Sequence, residues 1–236
     1  MIRKSIAIIT ARGGSKRIPG KNMRDFCGKP ILVYSIQAAL TADVFDEVMV
    51  STDSEKIAEI AKRTGANVPF LRSEETSGDF ATTADVLLEV LDRYQKMGKV
   101  FDFIFCIYPT APFVTAEKLK NAMALLREKN AKKVMPMVAY SSPPQRAYIL
   151  DGNYIRMREP QNANKRTQDL EQMYYDPGQF YGYNTKSFLD LKGQIWEDVV
   201  PLFVSETEVQ DIDTEDDWRI AELKYQAMQE RLFDKE

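Results

Sequence analysis

Short β-branched runs alternate with stretches of helical period along most of this chain. Ser5-Ile6-Ala7-Ile8-Ile9-Thr10 is almost continuously apolar, the pattern of a strand buried on both faces of a parallel sheet. Glu47 to Ser51 and Phe101 to Ile107 read the same way. Lys133 to Val138 is a further strand candidate, although Pro136, which lacks an N–H, argues against a central position. Between these runs Leu32, Ile36, Ala39 and Leu40 share a helical face after Pro30, a suitable first-turn residue. Ile57, Ile60 and Ala61 mark a second helix, Ala84, Leu87, Leu88 and Leu91 a third, and Leu119, Ala122, Met123 and Leu126 a fourth. This alternation predicts an α/β fold with a mostly parallel, Rossmann-like sheet and helices on both faces.

From about 141 to 183 the pattern changes. Pro, Gln, Asn, Arg and Tyr dominate, and the apolar residues hold neither period. A structureless loop of that length is unusual in a compact domain, so the segment is predicted as an insert. Its hairpin would run through Arg146 to Leu150 and Tyr154 to Met157, about Asp151-Gly152-Asn153. Regular pattern resumes with a short strand near Val199 to Val204. A final helix follows from Thr214, with Trp218, Ala221, Tyr225, Met228 and Leu232 on one stripe. The expectation is one domain over residues 1–236 that carries the insert.

Composition narrows the chemistry. The 236 residues are 44% hydrophobic and 28% charged, an ordinary globular balance that argues against disorder. No apolar run reaches the ~20 residues of a membrane span, and Met1 to Thr10 is too short for a signal peptide. Cys27 and Cys106 lie in or beside apolar stretches, which suits a reduced, cytoplasmic chain. There are no histidines. Ser-His-Asp and Cys-His hydrolysis, His-ligated zinc and phosphohistidine relays are thereby excluded, leaving carboxylates, Lys, Arg, backbone amides or a hard metal ion.

The net charge of −3 disfavours a general nucleic-acid binder. Even so, Arg12, Lys16, Arg17, Lys21 and Arg24 follow the first strand with no acid among them. They flank Gly13-Gly14, whose backbone can approach an anion closely and aim N–H groups at it. Ligands of open α/β sheets bind outside the carboxyl ends of strands, where this loop emerges. It is neither a Walker A loop nor a dinucleotide fingerprint, since five residues separate Gly14 from Gly20 and no G-x-G-x-x-G follows the strand. The alternative is a solvated basic loop.

Asp211-Ile212-Asp213 is the second constellation. Were it the end of a strand, both carboxylates would share one face roughly 6.6 Å apart, able to grip magnesium while Ile212 enters the core. Thr214 to Asp217 reads separately as a helix start. Asp53 or Ser54 reads as a helix N-cap, and Tyr108-Pro109-Thr110-Ala111-Pro112 as a rigid turn or a substrate wall. In the insert, Arg146, Arg158, Lys165 and Arg166 could receive a carboxylate.

The stretch Ile8 to Asn22 (IITARGGSKRIPGKN) resembles the N-terminal signature of the CMP-nonulosonic acid synthetases, the sialic acid-activating cytidylyltransferases. The likeness continues collinearly through Val50 to Asp53, Phe70 to Arg72, Asp79 to Thr83, Pro109 to Pro112 and Asp211 to Thr214. Asp25 to Pro30, Tyr108 to Val114 and Asp176 to Tyr181 are most similar to the branch acting on pseudaminic acid. The resemblance implies a three-layer α/β/α sandwich of the nucleotide-diphospho-sugar transferase type. It also implies a homodimer built partly through the insert, and magnesium-dependent transfer of CMP from CTP to a nine-carbon 2-keto sugar acid. The anomeric hydroxyl would attack the α-phosphate directly.

By position, the resemblance puts Arg12, Lys21, Asp211 and Asp213 in catalysis, the two aspartates as metal ligands. Ala11, Gly13, Gly14, Ser15 and Asn22 would join Arg12 and Lys21 on the nucleotide, with Arg72, Ala81 and Thr83 on cytosine and ribose. Tyr108, Gln145, Arg146, Arg166 and Tyr181 would meet the sugar. Two positions depart from the pattern. Thr10 replaces the usual Pro, and Tyr108 stands where sialic acid enzymes commonly carry Gln. Loss of that amide favours a deoxy, more apolar sugar over N-acetylneuraminic acid. N-acetylneuraminic or legionaminic acid is the alternative substrate. Rival readings are a metal-dependent glycosyltransferase of related fold and a non-catalytic nucleotide-binding regulator.

Overall fold

The computed structural model describes residues 3–15 and 17–233, with side chains through 230. Lys16 of the cationic loop and the side chain of Leu232 lie outside the described residues. The strands are β1 (Ser5–Thr10), β2 (Asp25–Phe26), β3 (Lys29–Pro30), β4 (Glu47–Ser51), β5 (Phe103–Ile107), β6 (Lys133–Ala139), β7 (Tyr148–Asp151), β8 (Tyr154–Met157), β9 (Tyr174–Tyr175), β10 (Phe180–Asn184) and β11 (Val199–Phe203). The helices are α1 (Ile31–Thr41), α2 (Glu55–Thr64), α3 (Glu74–Ser77), α4 (Thr83–Lys96), α5 (Ala116–Glu128), α6 (Thr185–Asp190) and α7 (Glu215–Phe233). Among the described residues no helix is long and apolar enough to cross a membrane.

The main sheet runs β11-β6-β10-β5-β1-β4, with β9 also paired to β6. β1 is parallel to both β4 and β5, and β11 is parallel to β6, while β10 is antiparallel to β5 and β6. Successive strands therefore leave β1 toward opposite edges, which makes its carboxyl end a topological switch point.

Alternation within the strands divides the core. Ala7, Ile9, Val50, Phe105 and Val134 face α1, α2 and α5, whereas Ile6, Ile8, Met49, Ile104 and Cys106 face α4. The outcome is the predicted three-layer sandwich. A third, smaller core joins Ile18 of the cationic loop, Phe26, Tyr34, Ile212 and Trp218. It brings the C-terminal helix onto the loop that follows β1, at the other end of the sequence.

Three expectations are corrected. The strand over 180–184 belongs to the main sheet, inserted between β5 and β6, so the predicted insert boundary at 183 runs too far. Gly182 permits this strand to sit there, because a Cβ at that position would lie 2.6 Å from the Phe105 ring. Pro136 is in an interior strand. It escapes the ladder penalty because β10 pairs with β6 at Lys133 and Val134 and β9 pairs at Val138 and Ala139, which leaves Pro136 between the two. Asp211 to Asp213 forms no strand: the segment is extended without a ladder partner and is anchored by Ile212, only 1% exposed. The predicted hairpin is present as β7 and β8, beginning at Tyr148 rather than Arg146.

Candidate active site

The loop after β1 is stitched to the end of β4. Ala11 donates its N–H to the Ser51 carbonyl at 2.9 Å, and Gly13 donates to Asp53 Oδ1 at 2.7 Å. A Cβ on Gly13 would stand 3.1 Å from Ser54 Cβ, whereas one on Gly14 would meet nothing within 4 Å. The first glycine lets the loop reach the strand end, and the second leaves its backbone open toward the cleft. Asn22 is buried and donates its side-chain amide to the Arg12 carbonyl at 2.8 Å. Gly20 takes a left-handed conformation, φ 66°, to start the turn that carries Lys21 and Asn22.

That stitching leaves a cleft of about 380 Å³ whose lining includes Arg12, Ser15, Arg17, Lys21, Thr110 and Asp213. Arg17 meets Asp213 at 2.5 Å, and Lys21 Nζ lies 3.7 Å from the other oxygen of the same carboxylate. Lys21 also donates to the Ile212 carbonyl. The two segments, nearly two hundred residues apart in sequence, thus share one wall. Arg12 pairs with Asp79 at 3.1 Å on another side. Burial lowers the Lys21 ammonium pKa, against the pull of Asp213 and Asp211. Asp211 is pushed above the ordinary aspartate range, first by burial and then by the neighbouring Asp213 carboxylate.

A carboxylate whose proton affinity is raised by an acidic neighbour, as that of Asp211 is, welcomes a hard cation. No group of three or more His, Cys, Asp or Glu suited to a metal occurs among the described residues. Asp211 and Asp213 alone are two hard oxygen donors, so a magnesium ion held there would need its remaining ligands from phosphate oxygens and water. Asp217 serves the helix instead. It accepts from the Thr214 N–H at 2.8 Å, while its own N–H donates to Thr214 Oγ1 at 3.2 Å, the reciprocal cap expected at this start.

Four further predicted residues are outside that lining but are tied to each other or to the ends of neighbouring strands. Arg72 is fastened to the end of β4 through Ser51, with Nε on its hydroxyl at 3.1 Å and an Nη on its carbonyl at 2.7 Å. Thr83 Oγ1 lies 3.4 Å from the Tyr108 hydroxyl, and the Tyr108 ring meets Tyr181 edge-on at 5.7 Å. Tyr181 donates to Asp176 Oδ2 at 2.7 Å. Burial raises both phenol pKa values, so Tyr108 and Tyr181 are neutral. Cys106, pushed up to about 12 by burial, is no nucleophile.

The remaining predicted residues do not line the cleft. Ala81 borders a separate groove beside α4. Gln145 is buried and donates to the Glu171 carbonyl at 2.7 Å, within the insert. Arg146 bonds the Lys165 carbonyl and Thr167 Oγ1, and Arg166 is exposed at the start of a short turn. Conversely, the predicted site omits Arg17 and Asp53. Arg17 was legible only as one cation in a run. Asp53 read as a cap; the cap position is Ser54, which makes no side-chain capping bond.

Comparison with known proteins settles the class. A cytidylyltransferase family model matches residues 6–229. The chain belongs to the cytidylyltransferase family. A pseudaminic acid cytidylyltransferase of Campylobacter jejuni is 37% identical over 98% of this cytidylyltransferase and 100% of its own length. A CMP-N,N'-diacetyllegionaminic acid synthase of Legionella pneumophila is 34% identical over 96% of this chain and 98% of its own. Among solved structures, a CMP:2-keto-3-deoxy-manno-octonic acid synthetase complexed with CTP superposes with a TM-score of 0.69 at 19% identity. That match covers 96% of this chain and 99% of the other, and supports the fold.

Proposed function

We propose that this cytidylyltransferase activates pseudaminic acid, converting CTP and the sugar acid into CMP-pseudaminic acid and pyrophosphate. The observation that carries the reading is the meeting of Arg17 and Lys21 with Asp213 in one cleft beside the Gly13-Gly14 backbone. Cations and open amides suit a triphosphate, and the paired acids suit its metal. The relative of 37% identity named for pseudaminic acid supports the choice of sugar, as does the apolar ring of Tyr108 beside Tyr181.

In this reading the anomeric hydroxyl attacks the α-phosphorus. A C–O–P bond forms, the bond to the bridging oxygen of the β-phosphate breaks with its electron pair leaving on pyrophosphate, and the hydroxyl proton passes to water. Arg12 and Lys21 neutralise phosphate oxygens, and the Gly14 N–H and Ser15 hydroxyl orient them. The Gly13 and Ser15 amides are engaged within the loop, by Asp53 and the Gly13 carbonyl. Asn22 holds the loop in shape through the Arg12 carbonyl. Arg72 and Thr83 flank cytosine and ribose. Asp211 and Asp213 would hold magnesium, which when bound would supply Lewis-acid neutralisation of the triphosphate. No histidine is needed, because phosphoryl transfer is largely positioning and charge stabilisation.

The working form is a homodimer. Leu150, Tyr154 and Ile155 on the projecting β7–β8 hairpin are 75%, 81% and 66% exposed, an apolar surface that a second copy would cover. Two free cysteines suit the cytoplasm, where CTP is available. The test is incubation with CTP, magnesium and pseudaminic, legionaminic or N-acetylneuraminic acid, following pyrophosphate and the mass of CMP-sugars. Pseudaminic acid is expected to give the highest kcat/KM. Failure to release pyrophosphate with any of the three, or preference for N-acetylneuraminic acid, overturns the reading.

A further inference from the structure

On the α4 side of the sheet, the core ends at Tyr183 and takes in no residue of β6 among the described residues. Lys133, Met135 and Met137 lie on that side, each only partly buried, while Val134, Pro136 and Val138 point into the opposite core side. Lys133 is the anomaly. Its Nζ lies 4.8 Å from the Tyr181 ring centre, 5.8 Å from Tyr183 and 5.9 Å from Trp196. Among the described residues it makes neither an ion pair nor a side-chain hydrogen bond, although Lys21, Lys118, Lys132 and Lys186 all find carboxylates. Asp176, the nearest acid of note, is committed to the Tyr181 hydroxyl and the Gly178 N–H.

A half-buried ammonium that is held by ring faces but offered no acceptor is poised for an anion. Burial lowers its pKa, with Asp176 pulling the other way, and an arriving anion would relieve that cost. Lys133 does not line the cleft but is linked to its wall through two tyrosines. Tyr181 touches Tyr108, which runs directly into Pro109 and Thr110 of the cleft wall. In the reading above the phosphates take their cations, Arg12 and Lys21, from the loop after β1. The remaining charge of a 2-keto sugar acid is its carboxylate. A single cation beside methionine and tyrosine side chains suits one negative charge on an otherwise uncharged deoxy sugar. Of the insert's alternatives, Arg146 has its guanidinium turned toward the Lys165 carbonyl and Thr167, and Arg158, Lys165 and Arg166 are exposed.

We propose that Lys133 is the specificity-determining cation that receives the substrate carboxylate, with the Tyr181 and Tyr183 rings fixing its Nζ. The inference rests on the sugar-acid reading given above. Wild-type enzyme is assayed first with pseudaminic acid and with its carboxamide; absence of pyrophosphate release from the acid would fail that reading, not this one specifically. With activity in hand, Lys133→Met is expected to raise KM for the sugar acid about 10- to 100-fold, the range of one lost charge-assisted bond, with KM for CTP unchanged. The variant should also lose the preference for acid over amide, and Lys133→Arg should restore it. A KM within threefold of wild type, or a retained preference, overturns the assignment. Independently of any variant, the sugar acid should protect Lys133 of wild-type protein from amine acylation, read by peptide mass, while the carboxamide should not. Equal labelling in both arms also overturns it.

Discussion

The Gly13 amide donates to Asp53 Oδ1 at 2.7 Å, joining the loop after β1 to the residue just beyond β4. The two strands are hydrogen-bonded neighbours in the sheet, so the anion-facing loop is held by the switch point itself. Asp53→Ala removes the only acceptor this carboxylate offers the loop amide and is expected to raise KM for CTP about tenfold, the scale of one charged hydrogen bond. Asp53→Asn, which keeps an acceptor oxygen, should change it less than threefold. Steady-state kinetics on both variants decide; equal effects would place the role of Asp53 elsewhere.

Arg12 lines the cleft and is free to exchange Asp79 for a phosphate. Arg12→Ala is expected to lower turnover about 100-fold or more, the scale of one lost electrostatic stabiliser. Arg12→Lys should recover only part, since a point charge does not reproduce a planar fork of donors. An effect of Arg12→Ala below threefold would mean that the loop only tethers.

Asp211 titrates above the ordinary aspartate range because its carboxylate is partly desolvated, although the residue as a whole is exposed, and lies close to the Asp213 charge. At neutral pH it is ionised in both folded and unfolded chains, and the folded state carries the cost. Below the ordinary aspartate pKa the carboxyl is protonated in both states and the cost vanishes. Asp211→Asn is therefore expected to melt at a higher temperature than wild type at pH 7 without metal or nucleotide. The difference should shrink toward about pH 4, and turnover should be abolished. Thermal melts across pH, with a pyrophosphate assay, measure both. A lower melting temperature at pH 7 would contradict the electrostatic account, and near-normal turnover with magnesium would contradict the metal role.

The β7–β8 hairpin pairs Leu150 with Ile155 across its strands and exposes both. Placing Asp at both positions should convert a dimer to a monomer in light scattering, because two carboxylates would have to be desolvated at the interface. An unchanged molar mass would assign the hairpin another role.

Much of this protein is set by local chemistry. The period-two and helical patterns placed β1, β4, β6, α1, α2, α4 and α5, and the Thr214-Asp217 cap placed the start of α7, because each depends on neighbours a few residues away. The cationic loop, the acid pair and the absence of histidine likewise limited the chemistry before any coordinates. Tertiary structure decided the rest. Strand β10 was hidden in an irregular composition, since Gly182 is required by the Phe105 ring of another strand and not by anything local. Asp53 belongs to the Val50–Asp53 stretch but read there only as a candidate cap, and Lys133 carries no motif; one matters for the backbone it reaches and the other for the acceptor it lacks among the described residues. Ile18 looks like an unremarked apolar residue and Ile212 was expected only to enter a core, yet the core they share brings Lys21 against Asp213. Hydrophobic burial is blind to sequence separation, so which distant segments meet was fixed by packing, and the site exists only where they do.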